Sequence, residues 1–336
     1  MRKLKVGIIG CGRISIMHLN AIALSEYATL TCCCDVIKEK ADAVAETYGV
    51  KAYTDYQVML RSEQLDAVHI CLPHYLHSKV ACFAFDMGIN VISEKPMDVD
   101  YESAENAVKL AEQKGVLFGV IFQCRYNTAS QLVKKAMQEG RLGKIISARS
   151  IVTWSRDEEY YLECDWKGSW EKEGGGVIIN QAIHTIDLVN WIVDDEIESV
   201  FCTMSNRCHP RIEVEDVAEG FVKYKNGTTY SFYCTNNYGC DEPIEIKLFC
   251  EKANVIMGSD DVHIYYNDGK VEKAQQENNV IKCEGGKEYW GFQHETQIKQ
   301  FYRAVLGLEQ LEISGKEALK THKLICELYD KGGLKK

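Results

Sequence analysis

Leu4-Lys5-Val6-Gly7-Ile8-Ile9-Gly10-Cys11-Gly12-Arg13-Ile14-Ser15 decides the fold. Its first six residues form a short apolar run, as a strand buried on both faces requires. Gly10 supplies a tight turn. Gly12 lets backbone come close to a ligand, and Ser15 is small enough at the third position to keep the following helix against the strand. A strand, this turn and a helix together make a pyrophosphate site at a helix N-terminus. Downstream, Asp35 ends a second strand pattern, where a carboxylate can accept hydrogen bonds from an adenosine ribose and repel a 2′-phosphate. That favours NAD over NADP, although Lys38 is a cation close by. Asp35 could instead only cap the next helix.

Working outward, strand patterns at 4–9, 29–34, 67–72, 90–93 and 116–122 alternate with helix patterns at 13–25, 38–48, 77–87 and 101–113. Such βαβ alternation predicts an α/β fold with a doubly wound parallel sheet over residues 1–123. From 124 to 290 the pattern becomes α+β. It holds a helix at 127–139, a long strand at 144–154, an apolar helix at 179–193, and extended segments from 198 to 266 that predict an open, mostly antiparallel sheet. Asn226-Gly227 between two of these is a hairpin signal. Residues 268–286 are polar and expected to form a mobile loop. Helices at 291–306 and 316–331 close the chain within a C-terminal segment, 291–336.

The chain has 336 residues, suited to two domains. A net charge of -10 argues against nucleic acid or an anionic membrane as partner. No run approaches the length of a membrane span. Met1-Arg2-Lys3 leads into an apolar stretch too short for a secretion signal, so a cytoplasmic location is expected. The 15 cysteines include no Cys-x-x-Cys pair and read as small buried hydrophobes, not as a metal or disulfide framework.

Glu94-Lys95-Pro96 follows the strand at 90–93, placing a lysine at the carboxyl edge of the sheet, where such folds do chemistry. Pro96 biases Lys95 toward extended backbone. Beside a nicotinamide, a lysine can assist proton removal from a substrate hydroxyl. In the second half, Gly174-Gly175-Gly176 precedes Asn180, His184 and Asp187, which share one helix face. His184 is the candidate proton acceptor and Asn180 a holder of a neighbouring hydroxyl, while Asp187 orients the ring or belongs to an interface. Lys95 and His184 are expected to converge on one hydroxyl. The loop carrying Trp154, Arg156 and Trp166 combines aromatic and cationic side chains, suited either to a sugar or to a packed interface.

With Gly10-Cys11-Gly12, Asp35, Leu72-Pro73-His74-Tyr75-Leu76-His77, Glu94-Lys95-Pro96, Arg125-Tyr126-Asn127 and the glycine-led Asn180-x-x-x-His184-x-x-Asp187, the chain resembles the glucose–fructose oxidoreductase/inositol dehydrogenase/MocA family over nearly its whole length. The resemblance implies an NAD-dependent oxidoreductase acting on a secondary hydroxyl of a sugar, cyclitol or glycoside, as a homodimer or homotetramer. It implies cofactor contact at Gly10, Gly12, Arg13, Ile14, Asp35, Leu72, Pro73, His74, His77, Glu94, Lys95 and Gln123. Catalysis falls to Lys95 and His184, and substrate contact to Lys95, Arg125, Tyr126, Trp154, Arg156, Trp166, Asn180, His184 and Asp187. Many polyol dehydrogenases of the family carry aspartate where Asn180 stands. Asparagine there looks similar to members acting on nucleotide sugars and other glycosides. An NAD-dependent glycosidase using transient oxidation, and a sensor without catalysis, are the competing expectations. Strands at 216–257 are expected to expose Phe232, Tyr233, Ile246 and Phe249 on a sheet face that joins subunits.

Overall fold

The computed structural model describes residues 2–259, 261–275 and 293–334. The chain divides into two compact units, Met1–Gln123 with Gln293–His322, and Cys124–Phe292 with Lys323–Lys336. The closing segment expected at 291–336 is therefore shared between them.

The first unit runs β1 (Leu4–Ile9), α1 (Ser15–Leu24), β2 (Ala28–Cys34), α2 (Lys38–Tyr48), β3 (Lys51–Tyr53), α3 (Tyr56–Ser62), β4 (Ala67–Ile70), α4 (His77–Asp86), β5 (Asn90–Ser93), α5 (Tyr101–Lys114) and β6 (Phe118–Val120). Six parallel strands take the order β3-β2-β1-β4-β5-β6. The order reverses beside β1, which puts the ligand crevice at the carboxyl ends of β1 and β4. Val6, Ile8, Cys33, Ala67 and Ile92 are buried in its core. β3 and α3 are additions to the sequence expectation. Three residues are too few to show a period, but α3 does carry a signal, because Asp55 caps it by accepting from the backbone N–H of Gln57 and Val58.

The second unit contains α6 (Thr128–Gln138), β7 (Ile145–Thr153), α7 (Glu158–Leu162) and α8 (Ile183–Val193). It continues with β8 (Ile197–Ser205), β9 (Val217–Tyr224), β10 (Thr229–Thr235), β11 (Glu245–Cys250), β12 (Ala253–Met257), β13 (Asp261–Tyr266) and β14 (Val271–Gln275). The strands form one sheet in the order β14-β13-β12-β11-β7-β10-β9-β8, antiparallel except for β7 beside β10. The chain then closes with α9 (His294–Val305) and α10 (Gly315–Gly332). Two expectations change here. Part of the loop expected at 268–286 is β14, paired with β13, and 276–286 lie outside the described residues. Phe232 and Ile246 are buried; strand alternation turns them to the covered face, and it is Phe201, Phe221, Phe249, Ile256 and Tyr265 that are exposed. Tyr233 is half-buried.

Among the described residues no helix is long and apolar enough to cross a membrane. Cys32, Cys33 and Cys34 are buried, and no described cysteine is in a disulfide.

Candidate functional site

On the first unit, Gly10 has φ +93°, and a Cβ there would lie 2.2 Å from the Cys71 carbonyl oxygen. The turn thus excludes any side chain. Gly12 is different: a Cβ there would meet no protein atom within 4 Å. Nothing in the chain demands glycine at that position, whereas a pyrophosphate approaching the start of α1 would. The N-cap of α1, Ile14, makes no side-chain hydrogen bond, and Ser15 Oγ donates to the Gly12 carbonyl at 2.6 Å. Exposed Arg13 and half-buried Ile14 complete the turn. Asp35 accepts from the Cys11 N–H and the Ile37 N–H, both at 2.8 Å. It both caps the approach to α2 and ties its carboxylate to the glycine turn, leaving each oxygen a second lone pair for a ribose hydroxyl. These features fit a bound dinucleotide.

Half-buried Leu72 and Pro73 and buried His74 form the turn after β4. His77 is buried with Nδ1 2.6 Å from the Pro96 carbonyl and Nε2 2.7 Å from the Leu72 carbonyl. The ring lies between the turns after β4 and β5, and the neutral imidazole donates its single N–H to one of these two carbonyls, which gives His77 a framework role. The Lys95–Pro96 peptide is cis, and Lys95 is half-buried at the end of β5. Gln123 is buried at the end of the unit.

Glu94 also departs from expectation. Its Oε1 lies 3.2 Å from His18 Nε2 and 3.2 Å from His294 Nε2, and its Oε2 accepts from the Lys95 N–H at 3.2 Å. His18 Nδ1 lies 2.8 Å from His69 Nδ1, whose Nε2 lies 2.7 Å from the Tyr302 hydroxyl. One direction of donation satisfies the whole chain: Tyr302 to His69, His69 to His18, and His18 to Glu94, with His294 as a second donor. Burial lowers the pKa of His18 and of His69, keeping both neutral. Burial opposes the charge on Glu94, but the hydrogen bonds from His18 and His294 outweigh it and hold its carboxyl well below the usual range. His18, Glu94 and His294 offer ligand atoms within 4.8 Å of one another, the composition of a metal site, yet the directed chain accounts for those atoms as hydrogen bonds. None of His18, His69, His294 or Tyr302 stood out in the sequence, because only the fold brings them together.

On the second unit, Arg125 donates to Asp187 through Nε at 2.8 Å and Nη2 at 2.6 Å. Both side chains are buried, and the Arg125 guanidinium stacks over Trp191 at 5.5 Å. This bidentate pair holds the two side chains expected to meet substrate against each other. Tyr126 is half-buried beside it. A single regular helix was expected to carry Asn180 and His184. Instead Ile178–Ala182 is a π-helical turn, a form frequent at functional sites, and α8 follows it. His184 is buried in the first turn of α8.

Two glutamates that the sequence did not single out hold this turn. Glu215 accepts from the N–H of Gly176 at 2.9 Å and of Ile178 at 3.0 Å, and from the Tyr329 hydroxyl at 2.7 Å. Gly176 is required here, since its Cβ would sit 1.9 Å from the Glu215 carbonyl. Glu173 accepts from the Gly168 N–H and from Asn180 Nδ2, the latter at 2.6 Å. Burial pushes both glutamates up to about 7.

In the aromatic loop, Arg156 lies over Trp154 at 5.3 Å and over Tyr160 at 5.5 Å, and pairs with Asp241 at 3.0 Å. Lys167 Nζ sits 3.5 Å from the Tyr160 ring centre. Trp166 is half-buried. The cations are engaged with the loop's own rings and, at Arg156, with Asp241 between β10 and β11, favouring the packed alternative at Arg156 and Trp154.

Residues 4–122 match the model described as "Oxidoreductase family, NAD-binding Rossmann fold", and residues 130–256 match the GFO/IDH/MocA C-terminal domain. The WlbA dehydrogenase of Bordetella pertussis, solved with NADH and UDP-GlcNAcA, is 30% identical with a TM-score of 0.86, over 98% of this chain and 97% of that one. The myo-inositol 2-dehydrogenase of Thermotoga maritima is 25% identical over 249 residues, 72% of each chain. The D-apiose dehydrogenase of Paraburkholderia graminis is 26% identical over 240 residues, 70% of this chain and 61% of its own. A glycine turn with room for a ligand, an aspartate tied to that turn and these likenesses agree: the chain belongs to the GFO/IDH/MocA family of NAD-binding oxidoreductases.

Proposed function

We propose that this dehydrogenase oxidises a secondary hydroxyl of a sugar carried on a nucleoside diphosphate. The observation that carries this is Asn180, a neutral amide at the position where, by the family resemblance, many polyol dehydrogenases carry aspartate. The likeness over nearly the full chain to a dehydrogenase solved with UDP-GlcNAcA supports it. NAD, when bound, supplies the hydride acceptor. The Gly10 turn and Asp35 orient it, Lys95 stabilises the developing alkoxide, and His184 takes the hydroxyl proton. Asn180 holds a neighbouring group of the sugar. The role of a redox-neutral glycosidase is separated by its products, since such a cycle releases an aglycone and returns its hydride.

The test is NADH formation with UDP-GlcNAcA and other UDP-sugars, set beside unlinked sugars, cyclitols and aryl glycosides. The proposal expects kcat/KM highest on a nucleotide-linked sugar. Preference for an unlinked cyclitol, or aglycone release without NADH, overturns it.

A further inference from the structure

Asn180 is not free to present either end of its amide. Nδ2 has two protons; one goes to Glu173 Oε1 at 2.6 Å and the other to the Tyr160 hydroxyl at 3.2 Å. The reverse orientation would set the amide oxygen against a carboxylate oxygen, acceptor against acceptor. The other Glu173 oxygen is tied to the Gly168 N–H, and the side chain is almost wholly buried, so it cannot swing away. We infer that Glu173 is a positioning residue that locks the amide of Asn180 with its oxygen toward the substrate, so that asparagine receives a substrate hydroxyl as an acceptor only, as a carboxylate would, without bringing a second charge to the site. This rests on the proposed role of Asn180 in holding the sugar.

The lock is conditional on the charge of Glu173. An ionised carboxylate can only accept; once protonated, it can donate to the amide oxygen, and the amide turns over to present its nitrogen instead. Burial moves that protonation to about 7, with Glu215 reinforcing the rise and the Gly168 and Asn180 hydrogen bonds and Lys167 opposing it. Tyr160 and Tyr161 are the other titratable groups facing Glu173, and burial keeps both in the phenol form at neutral pH.

The experiment is a swap. In Glu173→Gln, the buried Gly168 N–H claims the introduced amide oxygen, so the introduced NH2 faces position 180 and inverts Asn180. In Glu173→Gln with Asn180→Asp, that NH2 donates to the introduced carboxylate, and an acceptor again faces the substrate. Wild type is expected to lose activity as pH falls through about 7, the value to which Glu173 is raised. Glu173→Gln should lose kcat/KM by roughly 10- to 100-fold at pH 8, the scale of one hydrogen bond to a charged group. The swap should recover most of that loss. A swap no more active than Glu173→Gln overturns the inference. The same cycle read by melting temperature needs no substrate: the swap should melt above either single variant. Wild type failing on every sugar would count against the proposed function alone, while additive melting shifts would count against the lock.

Discussion

Gly10 and Gly12 stand two residues apart and are glycine for different reasons, which mutation can separate. Gly10→Ala forces a Cβ to 2.2 Å from the Cys71 carbonyl at a φ of +93°. It should destabilise the chain by about 1–3 kcal/mol or more, seen as a lower melting temperature without ligand. Gly12→Ala meets no protein atom, so the melting temperature should hold while NAD affinity, measured by calorimetry, falls at least about tenfold. For the chemistry, Lys95→Ala and His184→Ala should each cost on the order of 100- to 10,000-fold in turnover with NAD binding retained. Near-full turnover in either variant removes that residue from the mechanism. The local motifs were legible at this scale because each is written in neighbouring residues. The network around Glu94 was not: its partners His18 and His294 sit on α1 and α9, His69 behind His18 sits on β4, and only the fold makes them neighbours.

Among elements, the parallel sheet could be read from its apolar runs, and so could α6, β7 and the hairpin at Asn226-Gly227. Phe249 is exposed as expected, but the facing failed at Phe232 and Ile246, because the side a strand presents depends on where covering helices lie, and alternation alone does not say. The exposed face places Phe201 against Phe221 across β8 and β9, stacked with ring centres 5.6 Å apart. Along the same row follow Ser231, Arg149, Lys247 and Ile256, and Phe249 and Tyr265 lie on the same exposed face. Apolar groups ringed by charge on an uncovered sheet face suit a subunit interface. Wild type should therefore run as a homo-oligomer in light scattering at micromolar concentration, and Phe201→Glu with Phe221→Glu should shift it toward monomer. A monomeric wild type removes this expectation.

For the whole molecule, buried ionisable groups set the pH range of stability. His18, His69, His77 and His322 all have lowered pKa values, first through burial, with His322 at about 4. The unfolded chain binds protons at these positions below about 6.5 that the folded chain refuses, so their contribution is present above that value and lost as pH falls. Glu173 and Glu215, raised to about 7, act oppositely: the folded state keeps their protons longer, and stability is lost as pH rises from about 4.5 to 7. Four histidines against two glutamates give a net rise in melting temperature from about pH 4 to 6.5 by calorimetry. His322→Asn should make that rise shallower. An unchanged slope in the variant rejects the assignment.

The nucleotide half is not continuous in the chain. Gln297 accepts from the Phe122 N–H and donates to the Val120 carbonyl; Ser314 bridges to Gly119; and His294 and Tyr302 sit at opposite ends of the network around Glu94. All four come from the last 43 residues. During synthesis, then, the six strands emerge from the ribosome first but wait for nearly the entire remaining polypeptide before β6 has its partners and Glu94 its second imidazole. The half that binds the nucleotide begins before the second unit and closes only once residues 293–322 have followed it. A gene fragment ending near residue 123 would encode its sheet without its closure.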